Sequence, residues 1–170
     1  MFETGLTILI IALVIDWFLG EPDFIWSNIP HPVVLFGRSI SWLDKKYNTS
    51  DFSDAQRFRN GAASICGLII GAVLIASYID LIISYSGFLG TIVEILIVFT
   101  LIAQKSLYDH VKAVLIGFRT QGLRGGRRAV AQIVGRDVEK LNEEGVIRAS
   151  IETLAENFSD GVVAPAFWYA

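Results

Sequence analysis

Cysteine, histidine and proline are scarce in this chain. Of its 170 residues, one is cysteine, two are histidine and four are proline. A single cysteine forbids an intramolecular disulfide and any multi-cysteine metal site. Cys66 sits within an apolar run, so a buried, inert thiol is expected there, because a reactive one needs an electropositive, partly exposed setting. Basic residues are missing before Arg38 and again between Arg59 and Lys105. A secretory signal peptide opens with a positive segment and ends at a small-residue cleavage site. The N-terminus here offers Glu3, no Lys or Arg, and no such site. The net charge of −3 speaks against a general nucleic-acid binder. Internal repeats and low-complexity tracts are also absent.

What the chain has in plenty is apolar sequence. It is 53% hydrophobic with a mean hydropathy of +0.53, which excludes disorder and exceeds an ordinary soluble domain. The apolar residues cluster. Residues 2–19 read as a retained transmembrane helix with Asp16 near its far end. Gly61 to Ile79 contains no charge, and nineteen residues at about 1.5 Å each suffice for a hydrocarbon core of about 30 Å. That span is placed at 61–83, ending at Asp80 and the Ser84–Gly87 turn. Phe88 to Ala103, with Glu94 near its middle, is a third span expected to continue through Leu107, giving 88–107 and a helical hairpin with the second. Residues 161–170 are apolar but too short to cross, so the chain is expected to stop within a fourth span. The expected fold is therefore all-α: one polytopic membrane domain over 1–170, with three spans, the start of a fourth, and amphipathic helices outside the bilayer.

All 14 Lys and Arg fall in 20–60 or after Ala103. Alternate crossing of three spans puts every one on the same side, which the positive-inside rule makes the cytoplasm. The N-terminus is then expected outside the cell (inner) membrane, with 20–60 and 108–160 facing cytoplasmic nucleotides. In the first segment, Pro22, Pro30 and Pro32 predict a turn-rich loop. Val33 to Leu43 predicts an amphipathic interfacial helix with Trp42 at headgroup depth, and Ser53 with Gln56 resembles a capping box feeding the second span. In the later segment, Leu107, Val111, Val114, Leu115 and Phe118 follow helical spacing. Gly122, Gly125 and Gly126 are expected to break that helix, with short helices at 127–134 and 143–157.

The densest polar chemistry lies in Gly135 to Pro165. Glu152, Glu156 and Asp160 are four residues apart; on a continuous helix they share one face, and a divalent cation would relieve their repulsion. A solvated acidic face, with Arg148 paired to Glu152, is the competing reading. Asp160-Gly161 also favours a turn that would take Asp160 off the helix axis, and Asn157 suits either a cap or a substrate contact. Arg136 beside Asp137 suits phosphate recognition, or a helix stop with a local ion pair. Gly125-Gly126-Arg127-Arg128 lacks P-loop spacing and follows no strand, so a helix–helix turn is favoured over a phosphate cradle. His31, held between prolines, suits an acid, a base or a phosphate donor, or a plain surface position. His110 is expected to be solvated. Asp16 lies near enough the cytoplasmic boundary to join a site there, and Glu94 suits a helix–helix contact or a protonated acid.

Taken together, these motifs resemble one family. Asp16-Trp-Phe-Leu-Gly20-Glu21-Pro22 and Pro30-His31-Pro32-Val33 with Gly37 are similar to the N-terminal signature of the adenosylcobinamide-phosphate synthases of cobalamin biosynthesis. Ser106-Leu107 with His110, Ile133 to Asp137, Arg148-Ala149, Glu152 to Asn157 and Ser159 to Pro165 look like the same family in the same order. The resemblance runs from about residue 10 to the end. It implies an integral membrane ligase that uses ATP and Mg²⁺ to join adenosylcobyric acid, a corrinoid, to (R)-1-amino-2-propanol phosphate or aminopropanol. It further implies Glu152, Glu156 and Asp160 at Mg²⁺–ATP, and Arg136, Arg148 and Ser159 at phosphate or carboxylate groups. His31, Asp137, Glu156 and Asn157 complete the implied catalytic set. Glu21 stands where the family usually has aspartate. Family members also extend well past residue 170, so the chain alone is expected to lack half its site and to be inactive. A non-catalytic membrane sensor of the related β-lactamase-regulation type is the rival reading, followed by a small transporter with Asp16 and Glu94 in its path.

Overall fold

The computed structural model describes residues 2–20, 27, 30–135 and 137–170. Among these, all regular structure is helical: α1 (Phe2–Leu19), α2 (Pro32–Tyr47), α3 (Asp54–Tyr85), α4 (Gly87–Leu101), α5 (Gln104–Val130), α6 (Glu143–Phe158), a π-helical turn (Ser159–Val163) and α7 (Ala164–Tyr169). Asp54–Tyr85 and the stretch Gly87–Val130 are each long and apolar enough to cross a membrane, and Thr4–Leu19 is a shorter apolar helix. The all-α, membrane-type architecture expected from the sequence is therefore present. Within it the chain divides into two compact units, Met1–Glu21 with Ile92–Ala170, and Pro22–Thr91.

The smaller unit holds α2 and α3. His31 supplies the N-cap of α2, its Nδ1 accepting the Val33 N–H at 3.3 Å, and Pro32 occupies the first turn, where a missing N–H costs nothing. The helix runs past the expected Leu43 to Tyr47, closed by Lys45 and Lys46 in the last turn, where cations favour the helix dipole. The capping box at α3 is formed: Ser53 N–H donates to Gln56 Oε1 at 3.0 Å and Gln56 N–H returns to Ser53 Oγ. Asp54 and Arg57 pair one turn apart. No residue of α3 is buried. Ile69, Val73, Leu74 and Ile75 all point outward, and so does Cys66, which was expected to be buried. From Gly61 to Ile79 this helix carries no charge, and its length and composition are those of a membrane-crossing helix.

The larger unit has two cores. In the first, Ile8, Leu9 and Ala12 of α1 pack with Val98 and Phe99 of α4 and with Ile102, flanked by Ala166 and Tyr169 of α7. Glu94 is drawn into this layer as a helix–helix contact, accepting the Tyr169 hydroxyl at 2.7 Å. In the second, Val114 and Val130 of α5 close on Val138 and on Val146 and Ala149 of α6. That closure depends on a bend in α5 at Gly122, whose φ of 61° and ψ of −149° are open to glycine and strained for other residues. Beyond the bend the backbone folds back so tightly that a Cβ on Gly125 would lie 2.2 Å from the Gly117 carbonyl oxygen. Gly125 and Gly126 were expected to break the helix; they are helical, and their role is to let two backbones touch. The second arm accordingly starts right after Gly122, ahead of the expected residue 127. α6 begins as an N-capped helix, with Asn142 Oδ1 accepting the Gly145 N–H at 2.8 Å and Glu143 and Glu144 in the first turn.

The third span departs from expectation. Its helix stops at Leu101, and a new helix starts at Gln104. The cause lies in other parts of the larger unit, and it leads to the candidate site.

Candidate functional site

Three segments distant in sequence meet at the break around Ala103. The first is the end of α1. Asp16 is only 1% exposed, and its carboxylate accepts the Lys105 N–H at 3.0 Å. A helix start leaves its first N–H groups without partners. Ala103, the residue at the cap position of α5, has no side-chain acceptor, so Asp16 performs the capping from a neighbouring helix. Gln104 binds back, its Nε2 donating to the Leu13 carbonyl at 2.6 Å. Gly20 then turns the chain with φ +60°, and a Cβ there would come within 2.9 Å of the Lys105 side chain. Positive φ and close approach both require glycine at this point.

The third segment is the π turn. In α geometry the Gly161 carbonyl would accept the N–H of residue 165, but Pro165 has none. The Ala103 N–H, itself released by the break between α4 and α5, takes that carbonyl at 3.0 Å. Two orphaned backbone groups thus satisfy each other. π-helical turns of this kind occur often at functional sites.

Around this joint stands a polar and aromatic rim. Lys105 Nζ pairs with Asp109 and lies 5.9 Å from the Tyr108 ring centre; Lys112 Nζ lies 5.6 Å from the same ring, and Trp17 packs against it at 5.6 Å. His110 is exposed as expected, with Nδ1 2.7 Å from the Ser106 carbonyl. Lys105 and Gln104 carry no emphasis in the sequence reading. The available signal was the change from an apolar run to Gln-Lys-Ser, which looks like a continuing helix unless the remote cap is known.

The expected site residues distribute as follows. Arg148, Glu152, Glu156, Asn157, Ser159 and Asp160 are all exposed on α6 and the π turn, within the larger unit. The side chains of Arg148, Glu156, Asn157, Ser159 and Asp160 make no hydrogen bond or ion pair among the described residues, so a ligand would meet them uncommitted. Asp137 instead uses its carboxylate locally, accepting the Glu139 N–H at 3.0 Å to close a turn. Arg136, its expected partner, lies outside the described residues, as do Glu21 and Pro22 of the N-terminal motif. His31 lies in the smaller unit and serves as a helix cap.

Among the described residues, no three His, Cys, Asp or Glu side chains gather as a metal-binding group. Glu152 and Glu156 stand one helical turn apart, but the helix widens from Ser159 onward, so the four-residue step to Asp160 is no longer one turn. Asp160 also stays within helical structure rather than turning off the axis. A pair of carboxylates remains. That donor set suits Mg²⁺, which takes one or two carboxylates and fills its remaining positions with water and phosphate oxygens.

Fold and site together define a helical, membrane-type protein that gathers polar chemistry at the ends of its apolar helices. The family follows from comparison: the CobD/Cbib protein family model matches residues 9–170, and the chain belongs to that family. It is 50% identical over 167 residues to a cobalamin biosynthesis protein CobD of Brucella anthropi, covering 98% of this chain and 51% of that protein. It is 48% identical over 165 residues to the CobD of Rhizobium meliloti, covering 97% and 50%. The CobD of Rhodobacter capsulatus is 38% identical over 160 residues, covering 94% and 50%. The chain therefore spans about half the length of these curated relatives. No solved structure matches it.

Proposed function

We propose that the chain serves cobalamin biosynthesis as part of an ATP-dependent, amide-forming membrane ligase acting on a corrinoid carboxylate. The observation that carries this reading is the family match over residues 9–170, within which Glu152, Glu156, Asp160 and Arg148 lie on one exposed stretch tied to the Ala103 joint.

A carboxylate resists attack by an amine because of its charge and resonance. Its oxygen would first attack the γ-phosphorus of ATP, forming an acyl phosphate and releasing ADP. The amine of aminopropanol or its phosphate would then attack the acyl carbon, forming the C–N bond, expelling inorganic phosphate and losing one proton to a base. Arg148 offsets negative charge on the carboxylate or phosphate, as guanidinium groups do wherever phosphoryl charge develops. Glu152 and Glu156 would hold Mg²⁺ beside the phosphates, supplying further neutralisation. Asn157 and Ser159 offer neutral donors and acceptors at the same stretch for orienting substrate.

The test uses membranes holding the chain at the length of its relatives, supplied with ATP, Mg²⁺, adenosylcobyric acid and aminopropanol phosphate. Formation of the amide, with one ADP per product, is expected; its absence from well-inserted protein overturns the reading. The orientation proposed with it puts the basic segments in the cytoplasm. In a Cys66→Ser background, a Tyr85→Cys variant should react with an impermeant thiol reagent from outside, and an Arg128→Cys variant only after the membrane is opened. The opposite pattern would invert the topology.

A further inference from the structure

We propose that the groove between α2 and α3 binds an anionic phospholipid, with its phosphate at Arg38 and Lys45 and an acyl chain over Ala63, Gly67 and Leu68. Arg38, Trp42 and Lys45 sit at positions i, i+4 and i+7 of α2 and therefore share one face, where they line a shallow depression. Arg38 and Trp42 also line the adjoining groove, a cavity of about 810 Å³ whose α3 side is Asn60 and Ser64 with the apolar Ala63, Gly67 and Leu68. A charged mouth thus leads directly onto an apolar track.

The charge at that mouth is of one sign. Neither Arg38 nor Lys45 makes an ion pair among the described residues. Lys46 adds a third cation, with Nζ 4.7 Å from the Trp42 ring centre. The acid of the same helix turn, Asp44, accepts the Asn48 side-chain amide at 2.9 Å and lines the neighbouring groove, which shares Leu43, Tyr47, Ser64 and Leu68 with this one but neither Arg38 nor Lys45. Trp42 is 58% exposed, as suits an indole at headgroup depth. Ala63, Gly67 and Leu68 belong to a helix that buries none of its residues and is long enough to span a bilayer. An occupant must therefore combine an anion with a hydrocarbon tail and be abundant beside such a helix. An anionic phospholipid meets all three conditions; a soluble phosphate meets only the first. The inference is independent of the amide-forming reading.

The experiment measures retention of dioleoyl phosphatidylglycerol by the detergent-solubilised full chain in native mass spectrometry. Dioleoyl phosphatidylcholine and inorganic phosphate are the comparison probes. Preferential retention of phosphatidylglycerol is expected. The pair Arg38→Gln and Lys45→Gln should weaken it by about tenfold or more, since each basic group near an anionic surface contributes measurably to binding. Gly67→Leu tests the tail separately: a Cβ at Gly67 meets nothing within 4 Å, so the larger side chain fits the helix and fills the track. It should lower retention with every charge intact. Circular dichroism would verify that all variants stay helical. Equal retention of the two lipids, or indifference to the glutamine pair, would overturn the proposal. Equally tight binding of inorganic phosphate, or indifference to Gly67→Leu, would assign a soluble-anion site and overturn the lipid.

Discussion

Glu156→Gln is expected to reduce amide formation by about a hundredfold or more, the loss seen when one electrostatic group at a phosphoryl- or acyl-transfer centre is removed. The substitution is nearly isosteric and keeps helix propensity. Glu156 is exposed and its side chain contacts no polar partner among the described residues, so folding has little to lose. Stability should stay within about 0.5 kcal/mol of the parent, as for surface changes away from caps and cores. The informative result is the combination of normal membrane insertion and lost turnover, read by product formation and ADP release. A rate close to the parent's would remove Glu156 from the nucleotide site and leave the acidic face of α6 as a solvated surface.

Asp16→Ala should act in the opposite way, through structure first. The carboxylate is buried and caps α5 through the Lys105 N–H. Alanine would leave that part-buried donor without its carboxylate acceptor, at a cost of about 1 kcal/mol or more. A lost N-cap falls in the same range. The damage should concentrate at the start of α5, where hydrogen exchange at 103–107 would accelerate well before the second core around Val130 and Val146 opens. Asp16→Asn keeps an oxygen for the cap and should recover part of the loss. Unchanged exchange at the Lys105 amide in Asp16→Ala would show that the break is held by something else. In the amide-forming assay, both variants should lose activity roughly in step with their loss of order at 103–107, unlike Glu156→Gln.

These two residues also show where the sequence was readable. The helices that cover 2–19 and 61–83 follow from their apolar composition, and the capping box at Ser53 follows from residues three apart. Asp16 could be suspected because an acid at the end of an apolar helix demands a reason. Its task could not be read, since the N–H it caps lies 89 positions away. The same distance problem hid the end of α4: a run from Phe88 to Leu107 looks continuous until a remote carboxylate and the Gly161 carbonyl claim its backbone amides. Glu94 found its partner 75 residues on, in Tyr169. Gly125 and Gly126 were misread for another reason. Glycine marks both flexible breaks and close backbone contacts, and local sequence does not distinguish them. In the acidic stretch, four-residue spacing describes one helical turn from Glu152 to Glu156 but not from Glu156 to Asp160, because the helix widens at Ser159–Val163, ahead of Pro165.

The bond between Ala103 and Gly161 joins main chain to main chain. An alanine scan across the region would leave its donor and its acceptor intact, and so would report nothing about this main-chain link between the π turn and the break after α4. Its only side-chain handle is the proline ring four residues on, which withholds a competing donor. Sequence drift at the surrounding positions can therefore reshape what the site recognises without loosening the hinge on which it hangs.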